Sequence, residues 1–80
     1  MLWFVKILEV NGNDLLIAYS CEESKECDGI IEYNTVTKEA KLIKESSSSY
    51  GSLTNKLIVL IPYAYGKGVI TESINNITIG

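Results

Sequence analysis

The sequence contains no histidine and no arginine, and these two absences exclude several classes of function. General acid–base catalysis at neutral pH most often uses an imidazole, and readout of nucleic-acid bases leans on guanidinium groups. Seven lysines stand against ten acidic residues, which gives a net charge of −3. Because clustered positive charge is what holds a phosphate backbone, we expect no nucleic-acid partner.

Long apolar runs are also lacking. No segment approaches the ~20 apolar residues that a membrane-spanning helix requires. The apolar run 1–5 is too short for the hydrophobic part of a signal peptide, and Lys6 and Glu9 follow it without a small-residue cleavage site. We therefore expect no membrane partner, a cytoplasmic location, and a buried first strand at the N-terminal end.

The composition that remains is that of an ordinary globular domain. The chain has 80 residues, 46% of them hydrophobic and 21% charged, with a single proline. A chain of this length forms one compact core, since it buries only about 60–65% of its unfolded surface. The sequence predicts a single domain over residues 1–80.

A first β-hairpin is predicted near the N-terminus. Asn11-Gly12 separates the apolar runs 2–10 and 13–20 and favours a type I′ turn. Because both faces of this hairpin would be apolar, we expect it to lie centrally in the sheet or in a contact between copies. With Asn11-Gly12 as the turn, one face would hold Trp3, Val5, Ile7, Leu16 and Ala18, and the other Phe4, Leu8, Leu15, Ile17 and Tyr19.

A second hairpin follows, and one register satisfies its whole pattern. Residues 30–33 pair with residues 40–43 around a four-residue turn at 35–38. This register sets Glu32 opposite Lys41 on one face, which is a favourable cross-strand charge pair. A shift by one residue would lose both the charge pair and the apolar face. The predicted pairs are Ile30 with Ile43, Ile31 with Leu42, Glu32 with Lys41, and Tyr33 with Ala40.

The segment 50–65 carries both helix and strand signals. Ser49 is placed to cap a helix and Gly66 to end it. Against a helix, residues 57–61 are rich in β-branched side chains, and Pro62 in a helix interior costs about 3 kcal/mol. The residues at helical spacing are Tyr50, Leu53, Leu57, Leu60, Ile61 and Ala64.

We predict an α+β fold from these elements. Its small antiparallel sheet would consist of the two hairpins and a C-terminal strand within 74–80, covered by one helix at about 50–65. Two hairpins with apolar faces need a covering layer, and an amphipathic helix supplies one. The alternative, if 57–61 is a strand, is an all-β small barrel or sandwich.

The stretch 20–29, SCEESKECDG, holds both cysteines and four of the ten acidic residues. A zinc site needs four nitrogen or sulfur ligands, whereas this chain offers Cys21, Cys27 and no imidazole. The acidic neighbours also oppose thiolate formation, which thiol redox chemistry requires. We expect two unlinked thiols beside a solvated acidic turn, and no metal or other cofactor. A disulfide across this short loop, contributing roughly 2 kcal/mol, is the alternative.

Other motifs are weak. Gly66-Lys67-Gly68 lacks the upstream glycine and the following serine or threonine of a phosphate-binding loop, so it predicts a helix end and turn. The serine-rich run 45–49 reads as a polar connector. Without an imidazole, a nucleophile motif or a buried carboxylate pair, the sequence gives no support for an enzyme.

The remaining hypothesis is a small non-catalytic module that binds a protein partner or a second copy of itself as a homodimer. Aromatic side chains often anchor protein interfaces because they give large contact areas at little entropic cost. The alternative is a metal- or redox-responsive regulator whose sensor is the acidic loop with Cys21 and Cys27. The interface candidates are Trp3, Phe4, Tyr19, Tyr50, Tyr63 and Tyr65.

Overall fold

The computed structural model describes residues 2–21, 26–48 and 51–78, and the structural statements that follow concern these residues. They form one α+β domain, as predicted. No helix among them is long and apolar enough to cross a membrane. The elements are β1 (Leu2–Asn11), β2 (Asp14–Cys21), β3 (Gly29–Asn34), β4 (Ala40–Lys44), α1 (Gly51–Gly66) and β5 (Asn75–Thr78).

The five strands form one antiparallel sheet in the order β4-β3-β2-β1-β5. The first hairpin is therefore central, as its two apolar faces predict, and β4 and β5 are the edges. The sheet stays open, so the alternative of a closed barrel is wrong. The helix covers one face, which we call the helix face, and it approaches β4 and β3 most closely.

The main core lies between the helix face and α1. From the helix, Thr54, Leu57, Ile61 and Ala64 are buried at spacings of three and four residues, which is one face of a helix. Ile70, after the helix, and Ile77 of β5 close the same core. From the three central strands it takes Trp3, Val5, Leu15, Ile17, Tyr19, Cys21, Ile31 and Tyr33.

A β-bulge in β1 corrects the predicted faces of the first hairpin. The turn residues are Gly12 and Asn13, and Gly12 has a φ of 60° at the first central position, which is typical of a type II′ turn. Leu8 is then skipped in the pairing, since Ile7 faces Ile17 whereas Glu9 faces Leu16. The extra residue inverts the relation between the strands, so Trp3, Val5 and Ile7 share the helix face with Ile17, Tyr19 and Cys21.

The second hairpin has the predicted register over three of its four pairs. Ile31 pairs with Leu42, Glu32 with Lys41, and Tyr33 with Ala40. The fourth pair differs, because an irregularity next to Ile31 brings Ile30 opposite Lys44 instead of Ile43. In the turn, the Asn34 side chain accepts hydrogen bonds from the backbone N–H groups of residues 36 and 37, at 2.9 and 2.8 Å.

Helix α1 spans the predicted segment and continues through Pro62. It ends in two hydrogen bonds, from the Gly68 N–H to the Tyr65 carbonyl and from the Val69 N–H to the Ala64 carbonyl, both 3.0 Å long. These bonds and the φ of 77° at Gly68 define a Schellman motif. Gly68, rather than Gly66, is therefore the glycine that ends the helix.

Candidate functional site

The structure divides the five described aromatic candidates between the interior and the surface. Trp3 and Tyr19 are fully buried against one another, with ring centroids 6.1 Å apart, and Phe4 is buried on the opposite face of the sheet. Trp3 and Tyr19 lie in the main core under α1, whereas Phe4 packs with Ala18 and Cys27 on the other face. All three rings are therefore buried inside the folded chain. Tyr50 lies outside the described residues.

The two tyrosines near the end of α1 differ from each other. Tyr65 is partly buried, and its ring packs on Tyr33 at a centroid distance of 5.5 Å. The Tyr63 side chain is 65% exposed. Of the described candidates, Tyr63 is therefore the aromatic residue that is free to contact another molecule.

Val59 adds to this surface. It precedes Tyr63 by four residues, which places both on the same face of the helix, and it is 76% exposed. The neighbouring Leu60 is half-buried and borders a depression that also includes Lys56. We call this surface, defined by Lys56, Val59, Leu60 and Tyr63, the exposed helix stripe. In the sequence, the only sign of this stripe was that segment 50–65 contains more apolar residues than one buried helix face needs.

A groove of about 230 Å³ lies beside the exposed helix stripe, between α1 and β5. It exists because α1 approaches β3 and β4 most closely, which leaves less of the helix over the β1 and β5 side of the sheet. We call it the α1–β5 groove. One wall consists of Leu60, Tyr63, Ala64 and Lys67, the other of Asn76, Ile77 and Thr78, and Val69 also lines it.

Lys67 is the only charged residue among the described residues that line the groove. Lys67 holds its ammonium group 5.4 Å from the centroid of the Tyr63 ring, in a cation–π contact. Residues 51–71 include Lys56 and Lys67 but no aspartate or glutamate. In a chain with a net charge of −3, the segment 51–71 therefore carries a net positive charge.

The two cysteines lie on opposite faces of the sheet. Cys21 is buried in the main core, whereas Cys27 is buried with Phe4 and Ala18 on the face away from α1. The Cys27 thiol is 3.8 Å from both the Ser20 hydroxyl and the Phe4 carbonyl. Both thiols are unlinked. The disulfide and the sensor role stay predictions, and for a sensor we expect a thermal shift with zinc or an oxidant that disappears in Cys21→Ser.

A hydrogen-bond network next to these cysteines was not predicted from the sequence. The Asp28 carboxylate accepts bonds from the hydroxyls of Ser46 and Ser47, at 2.5 and 2.6 Å. The Ser46 N–H donates to the Tyr19 hydroxyl at 3.0 Å, and the Cys21 N–H donates to the Ser48 hydroxyl at 2.9 Å. Ser46, Ser47 and Ser48 therefore bind this segment to β2 and to Asp28, rather than forming a plain solvated linker.

The network also stabilises the ionised form of Asp28. The hydrogen bonds from the Ser46 and Ser47 hydroxyls stabilise the carboxylate and lower the Asp28 pKa from 3.8 to about 2. The only sequence signal was a serine cluster and a separate aspartate, and nothing in their spacing relates them. The hydroxyls of Ser46, Ser47 and Ser48 and the Asp28 carboxylate are joined by hydrogen bonds within this cluster, which indicates a structural role.

A metal centre is not formed by the described part of the chain. Within residues 2–21, 26–48 and 51–78, no group of three histidine, cysteine or acidic side chains is placed to hold an ion. Comparison with known proteins adds no further guide, since no protein-family model, curated protein or solved structure matches this chain.

Proposed function

We propose that the chain is a small non-catalytic module that binds another protein through the exposed helix stripe and the α1–β5 groove. The observation that carries this proposal is the exposure of Val59 and Tyr63, at 76% and 65%, on a helix whose other face is fully used in the core. Large apolar side chains that a fold leaves in water next to a groove are typical of interaction sites.

Two further features support this surface over the remainder of the molecule. Tyr63 combines an apolar ring with a hydroxyl, and such side chains are enriched where interfaces have their strongest contacts. The groove beside it is smaller than the 300 Å³ or more that is usual for drug-sized ligands, so a side chain of a partner fits it better than a metabolite. We propose a cytoplasmic location as well, because unlinked thiols are stable there.

Self-association is the second form of the same proposal. The exposed helix stripe of one copy, packed against that of another around a two-fold axis, would give a homodimer. Sedimentation equilibrium on the wild type and on the double variant Val59→Ser, Tyr63→Ser separates the forms. A dimer that becomes a monomer in the variant supports self-association, whereas a monomer in both leaves a different protein as the partner.

Photo-cross-linking tests the proposal itself. Benzoylphenylalanine is placed at position 63, and as a matched control at Thr37, which is exposed in the turn between β3 and β4. We expect covalent adducts of defined mass from position 63 in the producing cells, and their loss when Val59→Ser is added. Equal labelling from both positions, or no adduct from either, would overturn the proposed surface.

A further inference from the structure

We infer that the α1–β5 groove receives an extended acidic segment of a different protein, which adds to the sheet as a strand alongside β5. This inference rests on the proposed function and names the chemistry of the partner. It draws on three observations, which are the open edge of β5, the size of the groove and the charge around it.

The first observation is that the groove reaches the backbone of β5. Successive side chains of a strand point to opposite faces of a sheet, yet Asn76, Ile77 and Thr78 all line the groove. Three successive residues can line one groove when the groove lies along the edge of the strand, where the backbone is exposed. In the described part of the chain β5 pairs with β1 alone, so its other edge is open to another strand.

The second observation concerns size and lining. At about 230 Å³ the groove has room for one or two side chains, and Leu60, Ala64 and Val69 supply apolar contacts. A strand that pairs with β5 directs every second side chain toward the helix side. An apolar residue at such a position would fill the groove while the neighbouring residues face away from it.

The third observation is charge. Lys67 is the charged residue of the groove lining, and its contact with the Tyr63 ring holds the ammonium group at that end of the groove. A carboxylate on the incoming strand would pair with it, and none of the described lining residues is acidic. A basic segment would instead be repelled by Lys67 and, farther along the helix, by Lys56.

A second copy of this chain fits less well. Within residues 2–21, 26–48 and 51–78 the edge strands are β5, which carries no charge, and β4, which carries Lys41 and Lys44. Edge-to-edge pairing of two copies would therefore bring neutral or positive strands to Lys67. The acidic residue nearest to β5 in sequence, Glu72, lines a different depression with Leu8 and Val10. Charge complementarity thus favours a segment from another protein.

The test uses two synthetic ten-residue peptides, in which valine or leucine alternates with glutamate in one and with lysine in the other. Each is titrated into the isotope-labelled full chain and followed by amide NMR shifts. We expect the acidic peptide to shift the signals of residues 75–78 and to slow their hydrogen exchange. We expect the lysine peptide to bind about fivefold more weakly or not at all, since one exposed charge pair has an effect of this size.

Two charge reversals complete the design. Lys67→Glu should reverse the preference between the peptides, whereas Lys44→Glu, which makes the same change on the opposite edge of the sheet, should leave it unaltered. A preference that survives Lys67→Glu, or shifts centred on β4, would overturn the inference. If the amides of residues 75–78 exchange slowly without peptide and the chain has the size of a dimer in solution, the inference is overturned in favour of a second copy.

The outcome also separates this inference from the proposed function. Adducts from position 63 without binding of either peptide at β5 would leave the interaction module in place and remove the acidic strand. Absence of both would remove both.

Discussion

Gly29 lies opposite Tyr19 in the sheet, and the aromatic ring occupies the space in which a side chain of residue 29 would begin. A Cβ atom there would meet the Cε1 and Cζ atoms of the ring at 2.3 and 2.6 Å, much closer than carbon atoms can approach. The ring cannot yield easily, because Tyr19 is fully buried and its hydroxyl accepts the hydrogen bond from Ser46. Glycine is therefore required by packing at this position.

Gly29→Ala should destabilise the chain by about 1–3 kcal/mol, which is the usual cost of forcing extra atoms into a packed core. The measurement is urea unfolding followed by fluorescence of Trp3, the single tryptophan. Gly51→Ala is the matched control, since a Cβ at residue 51 meets no atom within 4 Å. Equal stability of the two variants would contradict the packing argument.

Asp28 predicts a pH dependence. Its folded-state pKa of about 2 lies below the ordinary 3.8, so the ionised carboxylate is more stable in the folded chain than in the unfolded chain. The resulting stability is fully present above about pH 5 and is lost as the pH falls through 3.8 toward 2.

Asp28→Asn removes this titration, so the difference in unfolding free energy between wild type and variant should shrink between pH 5 and pH 2. Asp14→Asn is the control, because the Asp14 carboxylate is exposed and accepts a single side-chain bond, from Asn34. A difference that stays constant with pH, or that grows toward low pH, would refute the role given to the Ser46 and Ser47 hydroxyls.

At the residue scale, the sequence predicted contacts between residues that pair across neighbouring strands. It did not predict contacts between residues in separate loops. The pairing of Glu32 with Lys41 followed from alternation and charge. The contact of Ser46 with Asp28 joins residues 18 positions apart through two irregular segments, and no periodicity relates them. Burial of Trp3 was likewise open, because both faces of its strand are apolar.

At the scale of elements, Pro62 is the main local conflict. The helix runs four residues beyond it to Gly66, although proline has no N–H to donate to the Ile58 carbonyl. The helix continues because Ile61 and Ala64, on either side of Pro62, are both buried against the sheet. Tertiary packing therefore outweighs the local preference, which explains why the sequence signals for helix and strand were nearly balanced.

Pro62→Ala should raise the free energy of unfolding by about 1–3 kcal/mol, since alanine restores the missing hydrogen bond and has the highest helix propensity. Thermal unfolding by circular dichroism measures it. Asn55→Ala, at an exposed position of the same helix, provides the part of the gain that comes from propensity alone. A gain at Pro62 no larger than at Asn55 would show that the helix is already relaxed around the proline.

The two hairpins show what pattern can determine at this scale. In the second hairpin, one face is apolar and the other carries a charge pair, so a single register fits. In the first hairpin, Phe4, Leu8 and Leu16 make the second face apolar as well, and a bulge that exchanges faces leaves no trace in such a pattern. The sequence therefore specified that this hairpin is central but not how its faces are directed.

At the scale of the whole molecule, the buried thiols report on cooperative unfolding. Cys21 and Cys27 are 6% and 8% exposed and lie on opposite faces of the same sheet. We expect intact mass spectrometry to show almost no iodoacetamide adduct under native conditions and two adducts in denaturant. Both thiols should become reactive over the same range of urea concentration as the Trp3 fluorescence change.

Reaction of Cys27 well below the unfolding transition, while Cys21 stays protected, would show that the face away from α1 opens separately. Cys21→Ser and Cys27→Ser then assign each adduct to its position. Early reaction of both cysteines would contradict the cooperative core.

The bulge at Leu8 has a consequence for inserted and deleted residues. The strand consists of two segments with separate in–out alternation, one from Leu2 to Ile7 and the other from Glu9 to Asn11. Leu8 is the extra residue between them. Replacing Leu8 by another residue keeps the alternation of both segments. Deleting it would direct one of the two segments, either the residues next to the turn or Trp3 and Val5, to the opposite face of the sheet. For this strand, the number of residues is a stricter requirement than the identity of the one that is extra.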